Sequence, residues 1–317
     1  MNSADDFAWF RLFSLPGFGA VRINRLYLRA KENGYSVAQI FELEKARFSQ
    51  VFAPHADEIY QRIHADDGGE TITQYQRLLA NDIRIIHSEH EFYPHRFRKL
   101  FLDQAPPLLF AWGQLPLINA KGAAIVGSRD ASETALYLSE QTAEALAAAG
   151  FNVISGYARG VDTSAHFGAL KAGGVTTIVL SYGMEHFVVR SILSDFDLPR
   201  NSLVLSQFHP RDTWKNHYGM IRNRVIVGLS RAVIVVAAEE SSGTANTGQI
   251  ALNAGIPLLV MSPRLFSPPP QGNAALLEAG GMEITSPEQI IKLLEKTVSV
   301  RDSDINVSSV NQGKLPL

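Results

Sequence analysis

The stretch AAIVGSRDASETALYLSEQTAEALAAAGFNVISGYARGVDTSAHFGALKAGG, residues 123–174, decides the fold. It opens on a short apolar run, AAIVG (123–127). A turn of small and charged residues leads to SETALYLSEQTAEALAAAG, whose apolar residues recur on a helical period. A second apolar run, FNVIS (151–155), leads through SGYARG to another helical segment, VDTSAHFGALKAGG. Both runs are continuously apolar rather than alternating, the pattern of a strand covered on both faces. Strand–helix units in series predict a doubly wound, mainly parallel sheet.

The same alternation continues outward. TTIVLS (176–181), SLVLSQ (202–207), AVIVVAA (232–238) and PLLVMS (257–262) read as further strands. Helices are expected near MIRNRVIVGLS (220–230) and over GTANTGQIALNAG (243–255), QGNAALLEAGG (271–281) and SPEQIIKLLEK (286–296). Upstream, IRIIH (83–87) and PLLFAW (107–112) read as strands. Roughly the first 65 residues read as helical: AWFRLFSL, then VRINRLYLRAKENG ending on Gly34 as a C-cap, then SVAQIFEL with Ser36 as N-cap. DDGG (66–69) is a break. The division expected is a small all-helical domain over 1–70, an extended Rossmann-like domain over 71–297, and a polar, aperiodic, flexible tail over 298–317.

The chain has 317 residues, no cysteine and a net charge of -2. Disulfides and cysteine metal sites are excluded. The N-terminal MNSADDFAWFRLF has neither a basic start nor a long apolar stretch, and no apolar run reaches membrane-spanning length, so a cytoplasmic protein without a membrane partner is expected. Any nucleic-acid contact must draw on local positive charge. One run is a candidate: Arg190, Arg200, Arg211, Lys215, Arg222, Arg224 and Arg231, against Asp195, Asp197 and Asp212, although by clustering alone it reads rather as a solvated face.

Ligands of such sheets bind outside the carboxyl ends of the strands. There the sequence places Gly127, Ser128 and Arg129, then Gly156, Arg159 and Gly160, then Tyr182-Gly183-Met184, then Glu239 and Glu240 followed by Ser242, Gly243 and Thr244. Small residues allow close backbone approach, and helix N-termini attract anions. Together they predict a phosphate-bearing ligand. The triplet Arg222, Asn223 and Arg224 reads as the opening of a helix, where arginine opposes the helix dipole unless an anion is bound. No G-x-G-x-x-G follows the first Rossmann strand and no P-loop is present, which argues against an NAD enzyme or an NTPase. Nothing calls for a metal or another cofactor. Asp162 and His166, four residues apart, share a helix face. They read either as an acid–base pair or, preferably, as a carboxylate at a helix start beside a packed histidine. Ser128 and Ser155 lack a nucleophile-elbow context, and His87, His90 and His95 read as surface residues.

AIVGSR (124–129), SGYARGVDTSAHFGAL (155–170), RNRVIVGLS (222–230), SGTANTGQIAL (242–252) and QGNAALLEAG (271–280), in this order, resemble the DprA (Smf) family of DNA-processing proteins. RIIHSEHEFYPHRFRKLFLDQAPPLLFAWG (84–113) is similar to the lead-in to that family's Rossmann core. LPGFGAVRINRL (15–26) is similar to its helix–hairpin–helix-like element; the turn Pro16 to Gly19 either offers N–H groups to a phosphate or simply joins two helices. The resemblance implies a dimerising Rossmann domain that holds single-stranded DNA in a basic pocket and delivers a RecA-type recombinase, without catalysis. By motif, Arg129, Arg159, Gly160, Arg222, Asn223, Arg224, Ser242, Gly243 and Thr244 would line that pocket, and SGYARGVDTSAH would be a phosphate cradle rather than a catalytic centre. The chain departs from the family in SYGMEHFVVR (181–190), which lacks a Tyr-Pro pair, in SQFHPRDTW (206–214) and in Pro268 to Pro270. Nor does any segment read as the winged-helix-like domain that many members carry. Two other readings use the same pocket. One is a nucleotide hydrolase acting through Asp162, Glu239 or Glu240, although ESSGTANTGQ (240–249) lacks the glycine pair and glutamate of that group. The other is a sensor of a small nucleotide.

Overall fold

The computed structural model describes residues 3–54, 56–65 and 68–304, so Asp66 and Asp67 of the expected break lie outside it. Helices come first: α1 (Ser3–Ser14), α2 (Ala20–Glu32), α3 (Val37–Ile40), α4 (Lys45–Phe52), α5 (Ala56–His64) and α6 (Gly69–Ala80). Then follow β1 (Arg84–His87), α7 (Arg96–Phe101), β2 (Leu108–Gly113), β3 (Gly122–Val126), α8 (Glu133–Ala148), β4 (Asn152–Ser155), α9 (Val161–Lys171) and β5 (Thr176–Val179). The chain continues through α10 (Leu198–Asn201), β6 (Ser202–Ser206), α11 (Asn216–Leu229), β7 (Val233–Val235), α12 (Gly243–Asn253), β8 (Leu258–Met261), α13 (Gln271–Glu278), β9 (Met282–Ile284) and α14 (Pro287–Asp304).

The strands form one sheet in the order β1-β2-β6-β5-β4-β3-β7-β8-β9. From β6 to β9 every neighbouring pair is parallel, whereas β1 and β2 add an antiparallel edge. The chain winds outward from β3 in both directions, so the switch point lies between β3 and β7. β3 shows why its sequence is continuously apolar. Ala123 and Ile125 pack with α8, α9 and α14, while Ala124 and Val126 pack with α11, α12 and α13. Both faces are covered, so no position calls for a polar residue.

The N-terminal helices build a core that runs on into the sheet. Trp9, Phe10, Ile23 and Phe48 join Phe110 of β2, Ile178 of β5 and Val204 of β6 in one apolar cluster. Asn24, 4% exposed, donates its amide to the carbonyls of Asp103 (2.9 Å) and Ala105 (2.7 Å), which anchors α2. Ser36 caps α3 in a capping box with Gln39, as its position predicts, and Gly34 sits past the end of α2 at φ +80°.

Several expectations change. Helix α6 prolongs the helical portion beyond the break, and β9 adds a strand whose exposed Met282 and Glu283 leave no apolar signal. α11 begins at Asn216, so Arg222 to Arg224 lie inside the helix and the dipole argument does not apply to them. α14 runs to Asp304, through the first part of the expected tail, whose remainder (305–317) lies outside the described residues. His87 and His90 are buried rather than on the surface: Trp9 stacks on His87 at 5.2 Å, and Asp6 meets its Nε2 at 3.3 Å. His95 is exposed. No helix among the described residues is long and apolar enough to cross a membrane.

Candidate functional site

At the carboxyl ends of β3 and β7 the turns leave a cavity of about 430 Å³. Gly127, Ser128 and Arg129 line it from the turn after β3, and Ser242, Gly243 and Thr244 from the start of α12. Arg222 and Asn223 come from α11. These are sequence-expected residues, brought together from three separate stretches. Asn216, Gly219, Met220 and Thr247 also line the cavity. Asn216 and Gly219 give no sequence signal because they precede Met220, where the expected helix begins. Tyr218 draws this stretch into the helix by stacking on Phe208 at 4.0 Å and donating to Asp212 (2.9 Å).

The two glycine turns lock together. Val161 N–H donates to the Ser128 carbonyl (3.2 Å), and Ser128 N–H to the Ala237 carbonyl (2.8 Å). A Cβ at Gly160 would overlap the Ser128 carbonyl, and one at Gly127 would meet Val161. Gly160 adopts φ +81°, which a side chain would strain. Gly156 makes room for a different partner: a Cβ there would fall inside the Arg222 guanidinium. Arg222 is 5% exposed. Its Nη1 donates to the carbonyls of Gly156 and, at 2.6 Å, Val179, while its buried Nε has no partner. Gly156 and Gly160 therefore shape the wall without lining it.

Asn223 donates to the Gly243 carbonyl (3.1 Å), tying α11 to α12. Ser242 caps α12 by accepting from Ala245 N–H (3.1 Å). Arg129 is exposed and makes no hydrogen bond or ion pair among the described residues. Arg159 stands at the rim, paired with Asp130. Arg224 does not reach this cavity; it donates to Gln104 on the other side of α11. The candidate basic run disperses. Arg211 pairs with Glu70 (2.7 Å), Lys215 with Asp212 (3.4 Å), and Arg190 lies over the Tyr157 ring at 4.9 Å. What reaches the cavity is Arg129 and Arg222.

Three carboxylates also face it: Asp130, Asp162 and Glu239. Asp130 is engaged by Arg159. Burial pushes the Asp162 carboxyl above its usual range, against the attraction of Arg222 and the Ala158 N–H that Asp162 accepts at 3.2 Å. His166 is fully buried and does not line the cavity. The Thr176 hydroxyl donates to the Val153 carbonyl (2.7 Å), so the His166 Nδ1–H must donate to that hydroxyl (2.7 Å). Burial, with Arg222 and Arg190 nearby, lowers the His166 pKa to about 3, so it stays neutral. The two residues do not form an acid–base pair on the cavity. Asn273, fully buried, accepts from Ala238 N–H (2.8 Å) and donates to the carbonyls of Val236 (2.9 Å) and Met261 (2.8 Å). Asn273 is thus a strut behind the β7 and β8 ends and does not line the cavity.

Comparisons with known proteins agree with this architecture. Protein Smf of Escherichia coli (strain K12) is 33% identical over 214 residues, 67% of this chain and 56% of that protein. The chain thus matches little more than half the length of this relative. The crystal structure of DNA processing protein A (DprA) from Streptococcus pneumoniae superposes with a TM-score of 0.74 at 26% identity, covering 91% of this chain and 97% of that one. DprA from Helicobacter pylori, whose structure was described for its single-stranded DNA binding mode, superposes with a TM-score of 0.54 at 26% identity, covering 61% and 88%. The family model for DNA recombination-mediator protein A matches residues 84–295, from the first strand of the sheet into its last helix, and the chain belongs to that family.

Proposed function

We propose that this chain binds single-stranded DNA at the β3–β7 switch point and, as a homodimer, protects that strand and loads a RecA-type recombinase onto it during DNA uptake or recombination. The observation that carries the reading is the cavity itself. Ser128, Arg129, Arg222, Ser242, Gly243 and Thr244 meet there, with Arg159 at the rim. Arg129 has no protein partner among the described residues, while Asp130 is engaged and Asp162 is pushed toward its neutral form, which leaves Glu239 as the one exposed, unengaged carboxylate of the three that face the cavity. An anion therefore meets an exposed guanidinium and backbone that glycine leaves open. The H. pylori relative, described for its single-stranded DNA binding mode, supports the choice of polymer. The sealed, neutral His166 favours binding over proton-transfer chemistry.

Fluorescence anisotropy with a labelled single strand and the matching duplex, each at two salt concentrations, tests the reading. Preferential single-strand binding that weakens with salt is expected, with a log–log slope of about -0.7 per phosphate engaged. Arg129→Ala should weaken it at least about tenfold, or about 1.4 kcal/mol. Binding of neither polymer, with a thermal shift on mononucleotides, would favour the nucleotide sensor. Release of free base from nucleoside monophosphates, lost on Asp162→Asn, would favour the hydrolase.

A further inference from the structure

Arg224 opens on a second, larger cavity of about 830 Å³ between α2 and α11, with Arg22, Arg25, Arg29, Phe52 and Ile221 among its walls. Glu58 is held by Arg22 (3.6 Å) and Arg62 (3.1 Å), and Asp103 by Arg25 (2.9 Å). Arg22, Arg25, Arg29, Arg62 and Arg224 thus outweigh these two carboxylates. Arg29 spends its Nε on the Val51 carbonyl (2.6 Å), which leaves its other N–H groups available. The first turn of α2 carries no side-chain cap, and Gly19 and Ala20 face the cavity.

The two cavities lie on either side of α11, which walls both. Met220 lines the first and Ile221 the second; these consecutive residues are 51% and 39% exposed. An exposed apolar edge therefore joins two arginine-bearing hollows. We propose that the α2–α11 groove is the second half of a single-strand path. In it the strand crosses Met220 and Ile221, sets bases against the exposed Val21 and Ile221, and presents phosphates to Arg22, Arg25 and Arg224. This rests on the single-strand reading of the first cavity. Concavity and apolar walls suit unstacked bases, and planar guanidiniums suit both phosphate and base faces. A duplex keeps its bases stacked and cannot enter such a hollow. An acidic polypeptide brings charge but no flat apolar face to fill it.

The test uses the full chain and two single strands, one of about six nucleotides and one of about twenty. The Arg25 side chain is 73% exposed, so Arg25→Gln leaves the fold intact, and Arg22→Gln serves as a second variant. Each should weaken the long strand about five- to tenfold, make its salt slope shallower by about 0.7, and leave the short strand unchanged. The chain has no cysteine, so Val21→Cys takes a single fluorophore in the groove, and the long strand should quench it where the short one does not. If the groove variants bind both lengths as wild type does while Arg129→Ala loses both, the second half of the path is refuted and the first cavity stands. If wild type binds neither length, both readings fall. Quenching by polyglutamate and not by the long strand would also overturn the proposal, and would assign the groove to an acidic protein segment.

Discussion

Gly156→Ala tests how the cavity is built. The substitution adds one carbon to the first residue after β4, and that carbon would occupy the space of the Arg222 guanidinium. Arg222 cannot stay: its Nη1 bonds to the Gly156 and Val179 carbonyls require the present position. Losing two charge-assisted hydrogen bonds in a buried site costs about 1.5–3 kcal/mol each. A guanidinium pushed toward water recovers part of its hydration, so a net loss of about 3–4 kcal/mol is expected. At about 2 °C per kcal/mol for a chain of this size, the melting midpoint should fall by roughly 6–8 °C. Single-strand affinity, read by anisotropy on folded protein, should drop at least about tenfold, since one of the two guanidiniums in the cavity leaves its place. Gly219→Ala is the matched control. It sits in α11 beside the same cavity with nothing within 4 Å of its Cβ, so the same methyl group should stabilise by up to about 1 kcal/mol. A Gly156→Ala protein that melts and binds like wild type would refute the buried seat of Arg222 and the reason given for Gly156.

Three further outcomes follow from the geometry. His166 has a folded pKa of about 3, below its unfolded value near 6.5, so its contribution is fully present above about pH 6.5 and is lost as pH falls toward 3. In His166→Leu the acid limb should flatten by up to about 1.4 kcal/mol per pH unit across that window, read by denaturant titration at several pH values; an unchanged limb would show that His166 is not buried neutral. Asn273→Ala should cost about 3 kcal/mol or more by orphaning Ala238 N–H and the Val236 and Met261 carbonyls, yet keep the wild-type salt slope of DNA binding; a changed slope would put Asn273 on the ligand instead. The Tyr157 hydroxyl accepts from Arg190 N–H (2.8 Å) and donates to the Val188 carbonyl (3.1 Å), so Tyr157→Phe should cost about 1–3 kcal/mol and speed hydrogen exchange around 187–193; unchanged exchange there would mean the loop is held by other contacts.

What could be read from sequence, and what could not, follows from how far each contact reaches along the chain. The β3 and β4 turns were legible because small residues at strand ends act locally: Gly127 and Gly160 sit where the backbone of one turn closes on the next. Arg222 does line the cavity, but not for the reason its sequence position suggests. It belongs to the cavity because Gly156, sixty-six positions earlier, leaves space for it, and not because it opens a helix. His87 looked like a surface residue until Trp9 covered it, and the charge run after Arg190 stood as a candidate patch until Glu70 and Gln104 claimed Arg211 and Arg224. Polar and charged residues are thus where one-dimensional reading fails, since their partners come from anywhere in the chain, whereas an apolar strand announces its own burial. The motifs themselves divide the same way. In SGYARG, Arg159 stands at the rim while Gly156 and Gly160 only make room, and in QGN the asparagine never faces the cavity. A motif that recurs as a block is therefore a cradle and its scaffolding together, and only the room around each residue tells which part would touch a strand.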